Sequence, residues 1–283
     1  MIKRVLIALG IVVGAVVLIL YYGVHSAKKL PDNFPGAFVA SGIPPGKKVV
    51  VCAGNSITHG RVSHNYVDEL AARHRADDLV FVNAGINSEL AYNLAQRIDD
   101  IKRCKPHYVT ILIGTNDALA GMGKKSADKY IKTWNLPQQP TREWFKKNLI
   151  QIVDRLSSET NAKLAILSLP PITEDANSLG YKQAKLYSSV IKGIATDKKV
   201  IYLPLNEEMD KAVRQRKPTS ERVFQGHERG PMYKAIFSHY ILGRSWNAIA
   251  DRNGSLYLTD SIHLNKRGSK IVADLIDDFI RGK

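Results

Sequence analysis

From residue 48 onward, short apolar runs alternate with longer segments in which apolar residues recur at helical spacing. The short runs are predicted strands, over residues 49–52, 79–83, 108–113, 164–168 and 200–203. Helical spacing predicts helices over residues 90–101, 144–156, 181–195 and 266–280. Such alternation is typical of a parallel sheet with helices on both faces. We therefore predict an α/β three-layer sandwich around a central five-stranded parallel sheet.

An almost unbroken apolar segment over residues 5–24 precedes this domain. As a helix it would span about 30 Å, which is the thickness of the hydrocarbon core of a bilayer. Tyr21 and Tyr22 fall near its far end, where aromatic residues anchor a helix at the membrane interface. A cleaved signal peptide is the alternative, but its apolar region is usually shorter, and the residues after Val24 form a poor cleavage site. We predict an uncleaved transmembrane anchor within residues 1–29.

The charges beside the anchor predict a single-pass membrane protein whose large domain is extracytoplasmic. Lys3 and Arg4 favour a cytoplasmic amino terminus, although Lys28 and Lys29 on the other flank favour the reverse. Residues 30–47 are rich in Pro and Gly and lack periodicity, which predicts a linker. The remaining domain then covers residues 48–283.

Two stretches interrupt the alternation within the domain, at residues 118–140 and 214–246. Long loops on α/β domains often form lids or bind substrate. The aromatic residues of the second stretch equally suit packing against the core. We predict that residues in these two stretches determine which substrate the protein selects.

Composition narrows the classes of function. The chain has 283 residues, and its formal net charge of +15 suits an anionic membrane or an acidic polysaccharide, or simply a solvated basic surface. No nucleic-acid-binding motif accompanies the charge, so no nucleic-acid partner is predicted. Cys52 and Cys104 are predicted to be buried and unpaired, and the eight histidines are scattered, so we predict neither a metal nor a cofactor.

The residues that suit chemistry lie at the ends of predicted strands. Ser56, Gly85 and Asn116 follow the first three strands, while Asp260 and His263 precede the last helix. In an open parallel sheet these segments converge on one edge. Ester hydrolysis by a serine needs a base, a group that orients the base, and hydrogen-bond donors for the oxyanion. The pattern predicts His263 as base and Asp260 as its orienting group.

These segments resemble the four blocks of the SGNH, or GDSL-type, serine hydrolases. In family order, the matching segments are Gly54-Asn55-Ser56, Gly85, Gly114-Thr115-Asn116-Asp117 and Asp260-Ser261-Ile262-His263. The resemblance covers nearly all of the chain after the predicted linker and implies an SGNH, flavodoxin-like fold with serine esterase activity. It also implies Ser56 as nucleophile, His263 as general base and then acid, and Asp260 as the residue that orients the imidazole. The implied oxyanion hole consists of the Ser56 N–H, the Gly85 N–H and the Asn116 side chain.

Two features around the serine refine the resemblance. Asn55 stands where the family usually has Asp, and we expect activity to survive because Asn can make the same local hydrogen bonds. The segment from Gly54 to Thr58 reads Gly-x-Ser-x-Thr, which differs from the Gly-x-Ser-x-Gly elbow of α/β-hydrolases.

The leading hypothesis is a membrane-anchored serine esterase that removes small acyl groups from a carbohydrate or another cell-envelope substrate. A lysophospholipase or thioesterase acting on long acyl chains is an alternative, and so is an acyltransferase in which an acceptor hydroxyl replaces water. A catalytically inactive, membrane-anchored binding module on the same fold is the alternative outside the enzymes.

Overall fold

The computed structural model describes residues 14, 17–216 and 224–283. Five parallel strands form its sheet, in the spatial order β2-β1-β3-β4-β5. They are β1 (Lys48–Gly54), β2 (Leu79–Gly85), β3 (Tyr108–Leu112), β4 (Lys163–Leu167) and β5 (Ile201–Leu203). The predicted α/β fold and its five-stranded parallel sheet are confirmed.

Helices cover both faces of the sheet. The described part of the first helix, α1, covers residues 17–28. The others are α2 (Pro35–Ala40), α3 (Ser56–His59), α4 (Tyr66–Arg73), α5 (Ala91–Gln96), α6 (Ile98–Arg103), α7 (Thr115–Ala120), α8 (Lys124–Trp134), α9 (Arg142–Glu159), α10 (Leu179–Lys198), α11 (Leu205–Val213), α12 (Gly230–Tyr240), α13 (Trp246–Arg252) and α14 (Lys266–Arg281).

Alternate residues of β1 pack into two different cores, as the pleat of a strand requires. Val49 and Val51 join a core with α5, α6, α9 and α10, whereas Val50 and Cys52 join one with α4, α11 and α14. All four side chains are fully buried. Because β1 is buried on both faces, its sequence is continuously apolar rather than alternating. Cys52 and Cys104 are both buried and unpaired, as predicted.

The order of the strands determines where a ligand site lies. The chain moves from β1 to β2 on one side and then to β3 on the other side of β1. This reversal opens a crevice beyond the carboxyl ends of β1, β2 and β3, which is where open α/β sheets bind their ligands. β1 ends at Gly54 and β2 at Gly85, which are paired across the ladder.

Most of the predicted transmembrane segment over residues 5–24 lies outside the described residues. Within residues 14, 17–216 and 224–283, no helix combines the length and the apolar character needed to cross a membrane. Gly23 and Ala27 of α1 are buried, and Ala27 packs with Val62 and with Ile236 of α12. The last turns of α1 therefore belong to the folded domain.

The stretch predicted as a linker, residues 30–47, also contacts the domain. Pro35 begins α2, and Phe38 is buried in the core beside α6. The Asn33 side chain donates to the Phe81 carbonyl (3.0 Å), which fixes this stretch along β2. The sequence shows no helical periodicity in this stretch because α2 has only six residues.

The two stretches predicted as loops are partly helical. Residues 118–140 contain α8, which begins after Gly123 and ends at Asn135 in the left-handed conformation. Residues 214–246 contain α12, while residues 217–223 lie outside the described part of the chain. Gly and Pro between short helices broke the helical pattern in the sequence.

Candidate active site

Ser56 begins α3 directly after the carboxyl end of β1. Asn55 precedes the helix, and its Oδ1 accepts a hydrogen bond from the Ile57 N–H (3.1 Å). Asn55 therefore supplies the helix cap that an aspartate would also supply, which agrees with the expectation from the sequence. A Cβ on Gly54 would lie 2.2 Å from Thr58 Oγ1, so only glycine allows α3 to fold back this closely on the strand.

A continuous chain of hydrogen bonds joins Ser56 to His263 and Asp260. The Ser56 hydroxyl lies 2.9 Å from His263 Nε2, and His263 Nδ1 lies 2.7 Å from Asp260 Oδ2. An ionised carboxylate only accepts hydrogen bonds, so Nδ1 carries the proton and Nε2 is left to accept from the serine. This is the arrangement by which a histidine activates a serine nucleophile.

Asp260 also fixes the turn that carries His263. Its Oδ1 accepts from the N–H groups of Ile262 (3.1 Å) and His263 (2.9 Å). Burial acts to raise the pKa of Asp260, but the charge and hydrogen bonds of His263, together with the two N–H donors, hold the pKa below its usual value. The carboxylate therefore stays ionised across the physiological range.

Asn116 lies at the start of α7, across the crevice from His263. Its Nδ2 donates to the Glu89 carbonyl (2.8 Å), and its Oδ1 accepts from the Tyr130 hydroxyl (2.8 Å). These two bonds fix the orientation of the amide, and the second hydrogen on Nδ2 remains available. Asn116 borders the same pocket as Ser56, as predicted for an oxyanion donor.

Gly85 does not reach the pocket in the way that the sequence predicted. Its N–H donates to Asn83 Oδ1 (3.0 Å), and the residue packs beneath α3. A Cβ there would lie 2.2 Å from the His59 backbone nitrogen. The structural reason for glycine at this position is thus the close approach of two backbones, and its N–H already has a partner.

Ser88, three residues later, borders the pocket instead. Its backbone has a φ of +64°, in the left-handed region that favours glycine. Its carbonyl accepts from Trp134 Nε1 (2.8 Å), whereas its N–H has no hydrogen-bond partner among the described residues. No pattern in the sequence indicates this backbone conformation, so the sequence analysis missed the residue.

A buried ion pair lies beneath this loop. Arg97 contacts both carboxylate oxygens of Glu89, with its Nη2 at 2.6 Å from Oε2. The same guanidinium donates to the Ala84 carbonyl (2.8 Å) at the end of β2. Arg97 thereby ties the loop at 86–89 to the edge of the sheet.

Asp117, next to Asn116, is a second buried carboxylate. Its oxygens accept from the Ala91 N–H (3.3 and 3.1 Å) at the start of α5. Burial raises the pKa of Asp117 to about 7, against the lowering effect of this backbone bond. No group of His, Cys, Asp and Glu among the described residues is arranged to hold a metal ion.

A cavity of about 420 Å³ opens above Ser56 and His263. Much of its wall is apolar and comes from outside the sheet edge, with Val24 and Ala27 from α1 and Met232 and Ile236 from α12. The end of α1 is bonded to the loops of the site, since Asn87 Nδ2 donates to the Ala27 carbonyl (2.8 Å). The residues predicted as a separate anchor thus form part of the pocket.

His59 provides the second bond to this segment. Its Nε2 lies 3.0 Å from the Lys29 carbonyl, and its Nδ1 lies 2.8 Å from Asn87 Oδ1. Burial lowers the pKa of His59. Both ring nitrogens are engaged away from Ser56, so His263 is the histidine positioned to act on the serine.

Comparison with known structures agrees with this architecture. A lipase/acylhydrolase from Enterococcus faecalis is 18% identical, with a TM-score of 0.54 over 83% of this chain and 96% of that one. An acetyl xylan esterase is 18% identical, with a TM-score of 0.55 over 82% and 99%. A catalytic mutant of an acetylxylan esterase from Geobacillus stearothermophilus is 15% identical, with a TM-score of 0.56 over 84% and 95%. At these identities the likeness shows a shared fold.

Among curated proteins, no relative matches the sequence. The model of the GDSL-like lipase/acylhydrolase family, however, matches residues 52–271, from β1 into α14. That range contains Ser56, Asn116, Asp260 and His263, the residues that meet at the pocket. The chain therefore belongs to the GDSL-like lipase/acylhydrolase family and is an esterase.

Proposed function

We propose that the protein is a serine esterase that removes small acyl groups from a carbohydrate or another cell-envelope substrate. The observation that carries this proposal is the hydrogen-bond chain from Asp260 through His263 to Ser56 at the base of an open pocket. In this proposal Ser56 is the nucleophile, His263 is the general base and acid, and Asp260 orients the imidazole.

The reaction proceeds in two halves. Ser56 Oγ attacks the ester carbonyl carbon while His263 Nε2 takes the hydroxyl proton, and His263 then gives that proton to the departing alcohol. The acyl group remains bonded to Ser56. A water molecule attacks this acyl-enzyme, losing a proton to His263, which returns it to Ser56 Oγ as the carboxylic acid leaves. Ionised Asp260 stabilises the imidazolium that forms in each half.

Three donors are proposed for the oxyanion that forms in both halves: the Ser56 N–H, the Ser88 N–H and Asn116 Nδ2. The Ser56 N–H lies in the first turn of α3, where helix N–H groups have no partner within the helix. Asn116 is bonded to the Glu89 carbonyl, which brings its amide next to the Ser88–Glu89 backbone. Ser88 thus takes the role of oxyanion donor that the sequence analysis assigned to Gly85.

Two observations bear on the acyl group. A cavity of about 420 Å³ accommodates a small acyl group together with part of a sugar. Two of the similar structures are acetyl xylan esterases, which agrees with a small acyl group on a carbohydrate. The apolar wall from α1 and α12 favours a second candidate, a lysophospholipase or thioesterase that holds a longer acyl chain.

We also propose that residues 5–24 anchor the enzyme in a membrane and that the domain lies outside the cytoplasm. The support is the apolar sequence between Lys3 and Lys28, and the aromatic pair at Tyr21 and Tyr22. Because Ala27 lines the pocket, such an anchor would hold the site close to the bilayer surface.

The test is hydrolysis of p-nitrophenyl esters from acetate to palmitate by the full chain in detergent micelles. We expect turnover to be greatest with short acyl groups and to fall about 10⁵-fold or more in Ser56→Ala. Ser189→Ala, an exposed serine on α10, is the matched control and keeps full activity.

Each result separates the candidates. Turnover that rises with chain length would favour the lysophospholipase or thioesterase. Transfer of the acyl group to an added sugar faster than to water would identify an acyltransferase. A folded protein with no serine-dependent turnover on any ester would leave the binding module as the better interpretation.

A further inference from the structure

Three basic side chains border the catalytic pocket. Lys28 lies at the end of α1, Lys129 lies on α8, and Arg229 directly precedes α12. None of the three forms an ion pair with another described residue, whereas Lys29, next to Lys28, pairs with Asp32, and Lys124, on the same helix as Lys129, pairs with Asp128. Three separate parts of the chain thus bring unpaired positive charge to one opening.

Lys129 is the most enclosed of the three cations. It is half-buried, and its Nζ lies 5.0 Å from the centre of the Tyr130 ring, the residue that holds Asn116. Burial, together with the charge of the nearby Arg229, lowers the pKa of Lys129 to about 8, although Glu228 and Asp260 oppose the shift. A lysine held in such a position loses hydration without gaining a partner carboxylate.

The acidic groups of the pocket have partners of their own. Asp260 is bonded to His263, and the Glu228 carboxylate accepts from the Gln225 N–H (2.9 and 3.1 Å). The lining residues therefore present an excess of positive charge to whatever enters. A fixed site of this kind attracts an anion and raises its local concentration.

We infer that the alcohol part of the natural ester carries a carboxylate or phosphate, which Lys129 binds at the mouth of the pocket with help from Lys28 and Arg229. This inference rests on the proposed esterase function and adds the charge of the substrate to it. A small acyl group is uncharged, so the anion belongs to the alcohol part. An acidic polysaccharide and an anionic lipid both provide this chemistry.

The first experiment compares 4-acetoxybenzoate with its methyl ester, which share the acetyl group and the ring and differ in charge. The quantity measured is the ratio of kcat/KM for the anionic ester to kcat/KM for the neutral one. We expect Lys129→Met to lower this ratio by about tenfold, mainly through a higher KM for the anion. Comparing the ratio between variants cancels the different reactivity of the two esters.

Lys132→Met is the matched control. Lys132 lies on the same helix, is exposed, and does not border the pocket. Its loss changes the net charge of the protein equally, so a ratio that stays at the wild-type value assigns the effect to the position of Lys129. The thermal unfolding midpoint of both variants establishes that they are folded.

The pH gives a readout that a merely structural lysine would not provide. As the pH rises through about 8, Lys129 loses its proton, and the preference for the anionic ester should decline in the wild type. Lys28, Arg229, Glu228 and the Asp260–His263 pair also face the pocket and are unchanged in the variant. The difference between wild type and Lys129→Met therefore isolates the lysine.

The source of the anion is tested with two matched pairs of substrates. Acetylated oligogalacturonate against acetylated xylo-oligosaccharide tests an acidic glycan, and lysophosphatidylglycerol against the monoacylglycerol with the same acyl chain tests an anionic lipid. A Lys129-dependent preference within one pair identifies the source. If Lys129→Met and Lys132→Met give equal ratios for every pair, the inference is wrong, while Ser56-dependent hydrolysis of the neutral esters would leave the proposed function intact.

Discussion

Two walls of the pocket face each other across Ser56. On the catalytic wall, Ser56, His263 and Asp260 act through their side chains, which are joined directly by hydrogen bonds. On the oxyanion wall, formed by Asn116 and residues 86–89, two layers are present. The proposed donors face the pocket, and the groups that position them lie beneath, as Tyr130 does for the Asn116 amide.

The two walls also differ in the pKa of a buried carboxylate. Asp260 and Asp117 are both almost fully buried, at 5% and 2% exposure. Asp260 faces His263 and two N–H donors, which hold its pKa low. Asp117 faces the Ala91 N–H and its own N–H but no charged partner, and burial raises its pKa to about 7. A negative charge is thus kept where it can stabilise an imidazolium, whereas at Asp117, next to the proposed oxyanion donor Asn116, burial disfavours it.

The largest effect is expected on the catalytic wall, from Asp260→Asn. Asparagine keeps an oxygen for the two N–H donors of the turn, but its amide would favour the wrong tautomer of His263. We expect kcat to fall by about 10⁴-fold with little change in the unfolding midpoint. Stopped assays with p-nitrophenyl acetate measure kcat for the variant and the wild type. A decrease smaller than tenfold would remove Asp260 from the proposed mechanism.

On the oxyanion wall, Asn116→Ala should produce the next largest effect. It removes one proposed donor, and such a loss typically lowers kcat by about 10²–10³-fold with little change in KM. Tyr130→Phe is its partner experiment, since it keeps the donor but leaves Asn116 Oδ1 without its bond. We expect a decrease of about tenfold there. If Tyr130→Phe lowered kcat further in the Asn116→Ala background, Tyr130 would act on substrate rather than through Asn116.

The same contrast explains what the sequence could predict. The catalytic wall uses a hydroxyl, an imidazole and a carboxylate, which are side-chain groups that the residue type reveals. The positions of these residues, after a strand or before α14, place them at one edge of the sheet. Ser56, Asp260 and His263 were therefore identified together. Asn116 was found for the same reason, since its amide is also a side-chain group.

A backbone N–H donor, by contrast, cannot be recognised from the residue type, because nearly every residue has one. Gly85 was selected because glycine permits close approach, and the close approach exists, but to α3 and not to a ligand. Ser88 has a left-handed φ, and Trp134 and Asn116 donate to the carbonyls of Ser88 and Glu89. Both donors lie far away in sequence. The packing of α1 on the pocket was missed for a related reason, because a membrane segment and a buried helix end have the same apolar composition.

A smaller effect, on stability rather than turnover, is expected from Asp117→Asn. Because the folded state raises the pKa of Asp117 to about 7, it binds more protons than the unfolded state between about pH 4 and pH 7. The stability of the wild type therefore includes a contribution that is fully present at low pH and is lost as the pH rises through 7. Asparagine keeps the oxygen that accepts from Ala91 without ionising.

Denaturant titrations at pH 5 and pH 8 measure this difference. The variant should be more stable than the wild type at pH 8, by on the order of 1–3 kcal/mol, and much closer to it at pH 5. Asp128→Asn, an exposed carboxylate on α8, is the control and should show no such pH-dependent gain. A variant that loses stability at both pH values would mean that the Asp117 carboxylate is needed in its charged form.

The smallest effect is expected from Ser88→Gly, because only the backbone of Ser88 is proposed to act. Glycine relieves a left-handed conformation that costs roughly 1 kcal/mol, while its greater freedom in the unfolded chain costs a similar amount. Stability and kcat should both stay near their wild-type values.

Ser88→Val, by contrast, should shift the loop and lower kcat about tenfold, since β-branched residues disfavour this φ. Lys199→Val, at a left-handed position that ends α10, should lose stability but keep its kcat. If both valine variants lowered kcat equally, the loss would reflect stability alone, and the difference between the two walls would not extend to Ser88.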